Sequence, residues 1–132
     1  MYKRQLHGRN VHGFPNLFVV GFSQAANLIS NVPHNLVEAG RTVAAMVKHA
    51  VDVGADEVEV TAEAEQAWID RLKAGDRRFA ADPDCTPGYY NNEGKTSELS
   101  AQNGFYGGGP VEFFALLEAW RKEDALAELD RR

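Results

Sequence analysis

The 132-residue sequence is short of the residues that anchor metals and cross-links: it has one cysteine, Cys85, and four histidines. None of these stands in an HExxH or CxxC arrangement. A lone thiol excludes an internal disulfide and a multi-cysteine zinc site, and its default setting is a reducing cytoplasm. Positive charge is also scarce, 14 Lys and Arg against 19 Asp and Glu for a net charge of −5. A nucleic-acid backbone is therefore not an expected partner. No apolar run approaches the ~20 residues of a spanning helix, and no apolar stretch follows the first cations as a secretory leader would require. A G-x-G-x-x-G fingerprint is missing too; Gly107-Gly108-Gly109 before Pro110 reads as a tight turn. What remains, 44% hydrophobic and 25% charged residues, is the composition of one ordinary globular domain.

Residues 1–10 are polar and basic and carry no structural signal of their own. Gly13-Phe14-Pro15-Asn16 then forms a turn that leads into Leu17-Phe18-Val19-Val20-Gly21. This β-branched and aromatic run lacks polar alternation, which predicts a strand covered on both faces. Ser30 and Asn31 are both good N-caps, with Pro33 allowed in the first turn. Leu36, Ala39, Val43, Met46 and Ala50 recur at helical spacing, predicting a helix over 32–53, stopped by Gly54. Residues 57–60 alternate as a short strand. Thr61 caps a second helix over 62–74, with Ala64, Trp68 and Leu72 on one face and acidic and basic ends in the order the helix dipole favours. From 82 to 109 there is no periodicity. Pro110 opens a last helix striped by Phe113, Leu116, Leu117 and Trp120, and Leu126 and Leu129 continue the helical character after a break at 122–124.

Two features do not suit a self-sufficient domain. A strand covered on both faces needs neighbours, and only 57–60 offers one. The loop over 82–109 is longer than the ~12–15 residues found without regular structure inside compact domains. Both follow if the chain is the tail of a larger protein whose remaining strands precede Met1.

The pattern most relevant to chemistry is strand, loop, helix across 17–53. In open α/β sheets, ligands sit beyond the carboxyl ends of the strands, near helix N-termini. The first turn of the helix presents unpaired N–H groups and about half a positive charge, which suits a ligand atom bearing negative charge. The alternative is that Asn31 merely caps a core helix. His34 and His49 read as surface or capping groups, Cys85 as loop lining, and Trp68 and Trp120 as core. Tyr89-Tyr90-Asn91-Asn92-Glu93-Gly94 either lines a pocket or makes turns.

Taken in order and spacing, several segments resemble the C-terminal end of a Baeyer–Villiger monooxygenase: Gly13-Phe14-Pro15-Asn16-Leu17-Phe18, Ser30-Asn31, the long helix, Trp68, Cys85-Thr86-Pro87-Gly88-Tyr89-Tyr90-Asn91-Asn92-Glu93-Gly94 and Tyr106-Gly107-Gly108. The likeness runs from about Leu6 onward and is greatest to members that act on cyclic or aromatic ketones. It implies an α/β fragment, mainly helical, with one buried strand of an FAD-binding dinucleotide-type sheet. A long helix, a second helix, a long irregular loop and a C-terminal helix would follow. Residues 11–54 would be the last strand and helix of the FAD-binding domain, and 55–132 an extension packed on domains outside this chain.

The resemblance further implies that the whole enzyme uses FAD, NADPH and O2 to insert one oxygen beside a ketone carbonyl. Gly21, Ser30, Asn31 and Val32 would border the flavin, whose negative charge the N–H groups near Asn31 and Val32 would stabilise. Asn27, Leu28 and Ile29 would line the substrate pocket. The Gly-Pro that many members carry after the strand reads Phe22-Ser23 here. The nucleotide fingerprints, the family's Phe/His/Trp motif and its catalytic arginine lie outside this chain, so alone it would be inactive. The competing expectation is a free-standing, non-catalytic helical module that dimerises through exposed apolar faces.

Overall fold

A computed structural model of the chain describes residues 3–21, 23–26, 30–75, 86–88, 93–95, 100–122, 126 and 128–132. Helix α1 spans Val32–Val53, bounded by Asn31 and by Gly54, which takes the left-handed conformation (φ 69°). Only glycine adopts that conformation without cost, which is why the helix stops there. Strand β1, Val58–Val60, leads into α2, Ala62–Ala74. The Thr61 hydroxyl accepts the Ala64 N–H at 3.1 Å, and Glu63 and Glu65 at the start oppose Arg71 and Lys73 at the end. A 3-10 turn at Ser100–Asn103 precedes α3, Gly109–Lys122. The chain closes with β2, Leu129–Arg131, antiparallel to β1 with Val60 opposite Leu129. The expected helical character at Leu129 is thus replaced by a strand. Val58 and Val60 leave a sheet edge open that only a distant segment fills.

The core forms where α2 and α3 meet. Trp68 stacks on Tyr106 (centroids 5.4 Å apart) and lies 6.0 Å from Phe113, and all three are buried. Met46, Val60, Ile69 and Leu117 complete it. Residues 6–10, expected to carry no structural weight, run through this interior. His7 meets Trp68 and Trp120 edge-on, at 4.7 and 5.2 Å.

The face that α1 turns inward differs from the expected apolar stripe. Ala39, Met46 and Ala50 are buried as expected, but so are Asn35, Glu38 and Thr42, while Leu36 is exposed. Polar groups can face inward here because side chains elsewhere in the chain pair with them. The outward face consequently carries Val32, Leu36, Val37, Val47, Val51 and Val53.

Residues 17–20 have no regular structure and Gly21 lies in a bend, so the expected strand is not formed within this chain. Among the described residues no strand lies alongside it; β1 pairs only with β2. Leu17 and Val20 are 43% and 56% exposed rather than covered. The hydrogen bonding nevertheless alternates. The Leu17 and Gly21 carbonyls accept from Asn10 and Arg9 side chains, and the Val19 N–H donates to the Arg9 carbonyl at 2.6 Å. Phe18 and Val20, between them, make no backbone hydrogen bond among the described residues. One side of the segment is occupied by residues 9–10, and among the described residues no backbone group pairs with the other.

Candidate functional site

Two local structures position the start of α1 and the segment before it. The first is the turn at residues 13–16. The Gly13 N–H donates to Glu59, the His12 N–H to Glu65 at 3.0 Å, and both carboxylates are buried. Gly13 has φ +85°, a conformation a side chain would resist. Asn16, itself at φ 60°, clasps β1: its N–H donates to the Val58 carbonyl and its Oδ1 accepts the Val58 N–H, each at 3.0 Å. Its Nδ2 reaches the Asp56 carbonyl, also at 3.0 Å. The Gly-Phe-Pro-Asn sequence therefore works as a brace that fixes where residues 17–21 begin.

The second is the first turn of α1. The Asn31 side chain accepts the His34 N–H at 3.4 Å, and the Asn31 carbonyl accepts the Asn35 N–H at 3.1 Å. Pro33 has no N–H to offer. The Val32 N–H is left without an acceptor among the described residues, and no acidic side chain lies in the first turn to offset the dipole. Below it, Asn35 donates from Nδ2 to Ser30 Oγ at 2.6 Å and to the Asn31 carbonyl at 3.2 Å. Its Oδ1 is buried and has no donor. The helix start thus presents an N–H without an acceptor among the described residues at an electropositive end, which suits a ligand atom bearing negative charge, while the Asn35 Oδ1 is enclosed beneath it.

A clamp between α1 and α3 holds this end in place. Buried Glu38 accepts from Arg41 at 2.6 Å and from Arg121 at 2.8 Å, and Arg121 also donates to Thr42 Oγ1 at 3.1 Å. Burial pushes the Glu38 carboxyl up, but hydrogen bonds from Arg121 and Arg41 outweigh it and leave it below its usual range. The groove beside the clamp, about 650 Å³, runs from His34 and Phe114 to Lys122. Its charges are spent on one another through Glu38 with its two arginines and Glu118 with Lys122. The groove supplies packing rather than a free charge.

Of the residues singled out from sequence, Ser30, Asn31 and Val32 come together at the helix start, and Gly21 is bound instead to Arg9. Asn27, Leu28 and Ile29 lie outside the described residues, as do Cys85 and, of the Tyr89–Gly94 cluster, all but Glu93 and Gly94. The His34 ring packs on Phe114 at 4.6 Å and its backbone N–H is the one Asn31 caps, and among the described residues no cluster of metal-binding side chains occurs. No described helix is long and apolar enough to cross a membrane. Asn35 and Arg9 were missed, since their interest lies in unpaired buried atoms that no sequence pattern displays.

No family model matches the chain. It is 38% identical over 130 residues to neopentalenolactone D synthase of Streptomyces avermitilis and 36% identical over 129 residues to FAD-binding monooxygenase hmp7 of Hypomyces subiculosus. It is also 36% identical over 118 residues to Baeyer-Villiger monooxygenase 4 of a Dietzia species. These matches take in 98%, 95% and 89% of this chain but 22%, 21% and 19% of those proteins, so the chain spans about a fifth of its relatives' length. Among solved structures, the polycyclic ketone monooxygenase from Thermothelomyces thermophila superposes with a TM-score of 0.85 at 32% identity, over 98% of this chain and 21% of that one. An oxidized steroid monooxygenase bound to NADP shares the fold, with a TM-score of 0.74 at 19% identity over 98% of this chain and 23% of its own.

Proposed function

We propose that this chain, which belongs to the Baeyer–Villiger monooxygenases and spans about a fifth of their length, supplies the flavin-facing end of such an enzyme. In this reading the complete protein is an FAD- and NADPH-dependent oxidoreductase acting on a ketone, and this chain alone is inactive. Residues 11–54 end the FAD-binding domain, with 17–21 as its last strand, and 55–132 pack on domains beyond this chain. Gly21, Ser30, Asn31 and Val32 lie against the flavin, and Asn27, Leu28 and Ile29 against the substrate. The outward valines of α1, which the dimerising-module reading would give to a second copy, are covered here by the rest of the enzyme.

The observation that carries the reading is the start of α1, where the Val32 N–H has no acceptor among the described residues and no acidic side chain offsets the electropositive helix end. Support for the strand comes from residues 17–21, hydrogen-bonded on one side and open at Phe18 and Val20. The relatives' names bring FAD, and the neighbour bound to NADP brings the nicotinamide partner.

When bound, FAD supplies the redox chemistry, passing two electrons from NADPH to O2 so that one oxygen atom enters the ester and the other leaves as water. This chain's part is electrostatic and positional. In this reading the Val32 N–H and the α1 dipole would favour negative charge on the ring, and the Glu38–Arg121 clamp would keep the helix end from shifting.

Asn31→Asp in the complete enzyme tests this. Aspartate caps as well as asparagine but adds a negative charge at the helix start. The flavin's reduction potential should fall, since charge on the reduced ring is disfavoured. A potential equal to wild type would remove the start of α1 from the flavin site.

A further inference from the structure

Residues 23–26, on the way from Gly21 to α1, are held firmly although they form no helix or strand. Gln24, Ala25 and Ala26 are fully enclosed. The Gln24 N–H donates to the Gly104 carbonyl and the Tyr106 N–H to the Ala25 carbonyl, each at 2.9 Å. The Trp68 indole N–H donates to the Gln24 carbonyl at 3.2 Å. Against residue 8 there is no slack: a Cβ on Gly8 would meet the Ser23 carbonyl at 2.3 Å and Ala25 Cβ at 3.2 Å.

The Gln24 side chain ties three parts of the chain together at one point. Its Nε2 donates to the Lys3 carbonyl at 2.7 Å and to the Gln102 carbonyl at 2.6 Å, and Gln102 Nε2 donates to the same Lys3 carbonyl at 2.5 Å. Both acceptors are carbonyls, so the carboxamide must turn its nitrogen toward them. The position is a costly one. Gln24 has φ 56°, in the left-handed region that side chains resist, and its Oε1 is buried without a donor among the described residues. Stability alone accounts poorly for a residue held in this way. Strained backbone that the surroundings over-determine gathers where placement matters to function.

Only three residues, 27–29, separate this anchor from Ser30, whose hydroxyl accepts from Asn35 at 2.6 Å at the start of α1. We propose that Gln24 is a positioning residue for the ketone: by tying residues 23–26 to Lys3 and to the 102–106 segment, it sets how the loop approaches the substrate. The proposal rests on the reading above, in which Asn27, Leu28 and Ile29 lie against the substrate. It adds that their placement is governed by an enclosed side chain that binds backbone carbonyls of this chain and not the ketone itself.

The test compares Gln24→Met and Gln24→Asn in the complete enzyme. Methionine matches the length of glutamine but has no N–H groups; asparagine suits the left-handed backbone but is one methylene too short to reach both carbonyls. The probe is 2-methylcyclohexanone, whose unsymmetrical ring yields two lactones according to which side of the carbonyl receives the oxygen. Both variants should raise KM for this ketone about tenfold and shift the ratio of the two lactones, with kcat lowered less. A general loss of stability would not alter that ratio. A KM and a lactone ratio equal to wild type overturn the proposal. Should the methionine variant fail to fold, the asparagine variant decides by the same two readings. Where turnover of this ketone is too slow to measure, hydrogen exchange decides: faster exchange at the Ser30 and Asn31 amides, beyond the loop, supports the proposal, and wild-type rates there overturn it. The flavin potential of Asn31→Asp is measured alongside. An unmoved potential counts against the proposed function, whereas a lowered potential with unmoved KM and lactone ratio counts against Gln24 alone.

Discussion

The interior between α2 and α3 and the surface formed by residues 17–21 with the outer face of α1 follow opposite rules. In the interior, large apolar groups are enclosed and their polar tips are satisfied. Trp68 donates to the Gln24 carbonyl at 3.2 Å, Trp120 to Glu128 at 2.7 Å, and the Tyr106 hydroxyl sits between Arg71 and Glu112. On the surface, Leu17, Val20, Val32, Leu36 and Val37 face water, while Arg9 and Asn35 keep unpaired polar atoms just beneath. A few exposed apolar residues are ordinary in any protein. Their coincidence with an open backbone edge is not, and it supports the proposal that further parts of the protein cover this surface. Gln24 Oε1 is the exception in the interior, buried without a partner, and in the reading proposed above the surface is half of a contact.

Substitutions should therefore divide along that line. Trp68→Ala, in the complete interior, should cost the most, about 3–5 kcal/mol, read from denaturant unfolding of the complete enzyme. A loss under 1 kcal/mol would mean the aromatic cluster is not the stabilising centre. Glu38→Gln comes next, at about 2–3 kcal/mol, because Arg121 would stay largely enclosed without its counter-charge, while the exposed Arg41 would lose little.

The pH dependence separates two of the buried ionisable groups, His7 and Glu38. Burial, with help from Arg9 and Arg71, holds His7 down at about 3, against 6.5 when unfolded. The unfolded chain then binds a proton the folded one refuses, so this contribution is complete above pH 6.5 and erodes as pH falls toward 3. Glu38, held below its usual 4.5, contributes stability present above that value and lost only at lower pH. Between pH 6.5 and 4.5 the decline from these two is thus due to His7, up to about 1.4 kcal/mol per pH unit. His7→Asn, which tolerates the residue's left-handed backbone (φ 51°), should flatten melting temperature against pH in that window. An unchanged slope would show that His7 is not enclosed. The smallest expected effect is at the half-contact: Asn31→Ala removes a long capping bond and should cost about 0.5–1 kcal/mol in thermal unfolding. A loss comparable to Trp68→Ala would erase the distinction between the two regions.

What could be read from the sequence follows the same division. Caps are local chemistry, so Asn31 and Gly54 placed the ends of α1, and Thr61 the start of α2, where they are found. Strand β2 could not be read that way, since Leu129-Asp130-Arg131 is a strand only because Val58–Val60 lies beside it. Nor could the polar inward face of α1, whose Glu38 is matched by Arg121, 83 residues away. Residues 6–10 carried no structural signal in the sequence because their burial comes from Trp68 and Trp120 in later helices. At the candidate site, Ser30, Asn31 and Val32 were legible as a helix start. Asn35 and Arg9 were not, because an unpaired buried atom is a property of packing.

Hydrogen exchange at the Phe18 and Val20 amides in the complete enzyme tests most directly whether the open edge is half of a sheet. Slow exchange at both, comparable to the amides of β1, is the result expected if neighbouring strands take up these groups. Exchange at the rate of an unstructured peptide would contradict it, leaving residues 17–21 as a surface loop with no sheet to complete.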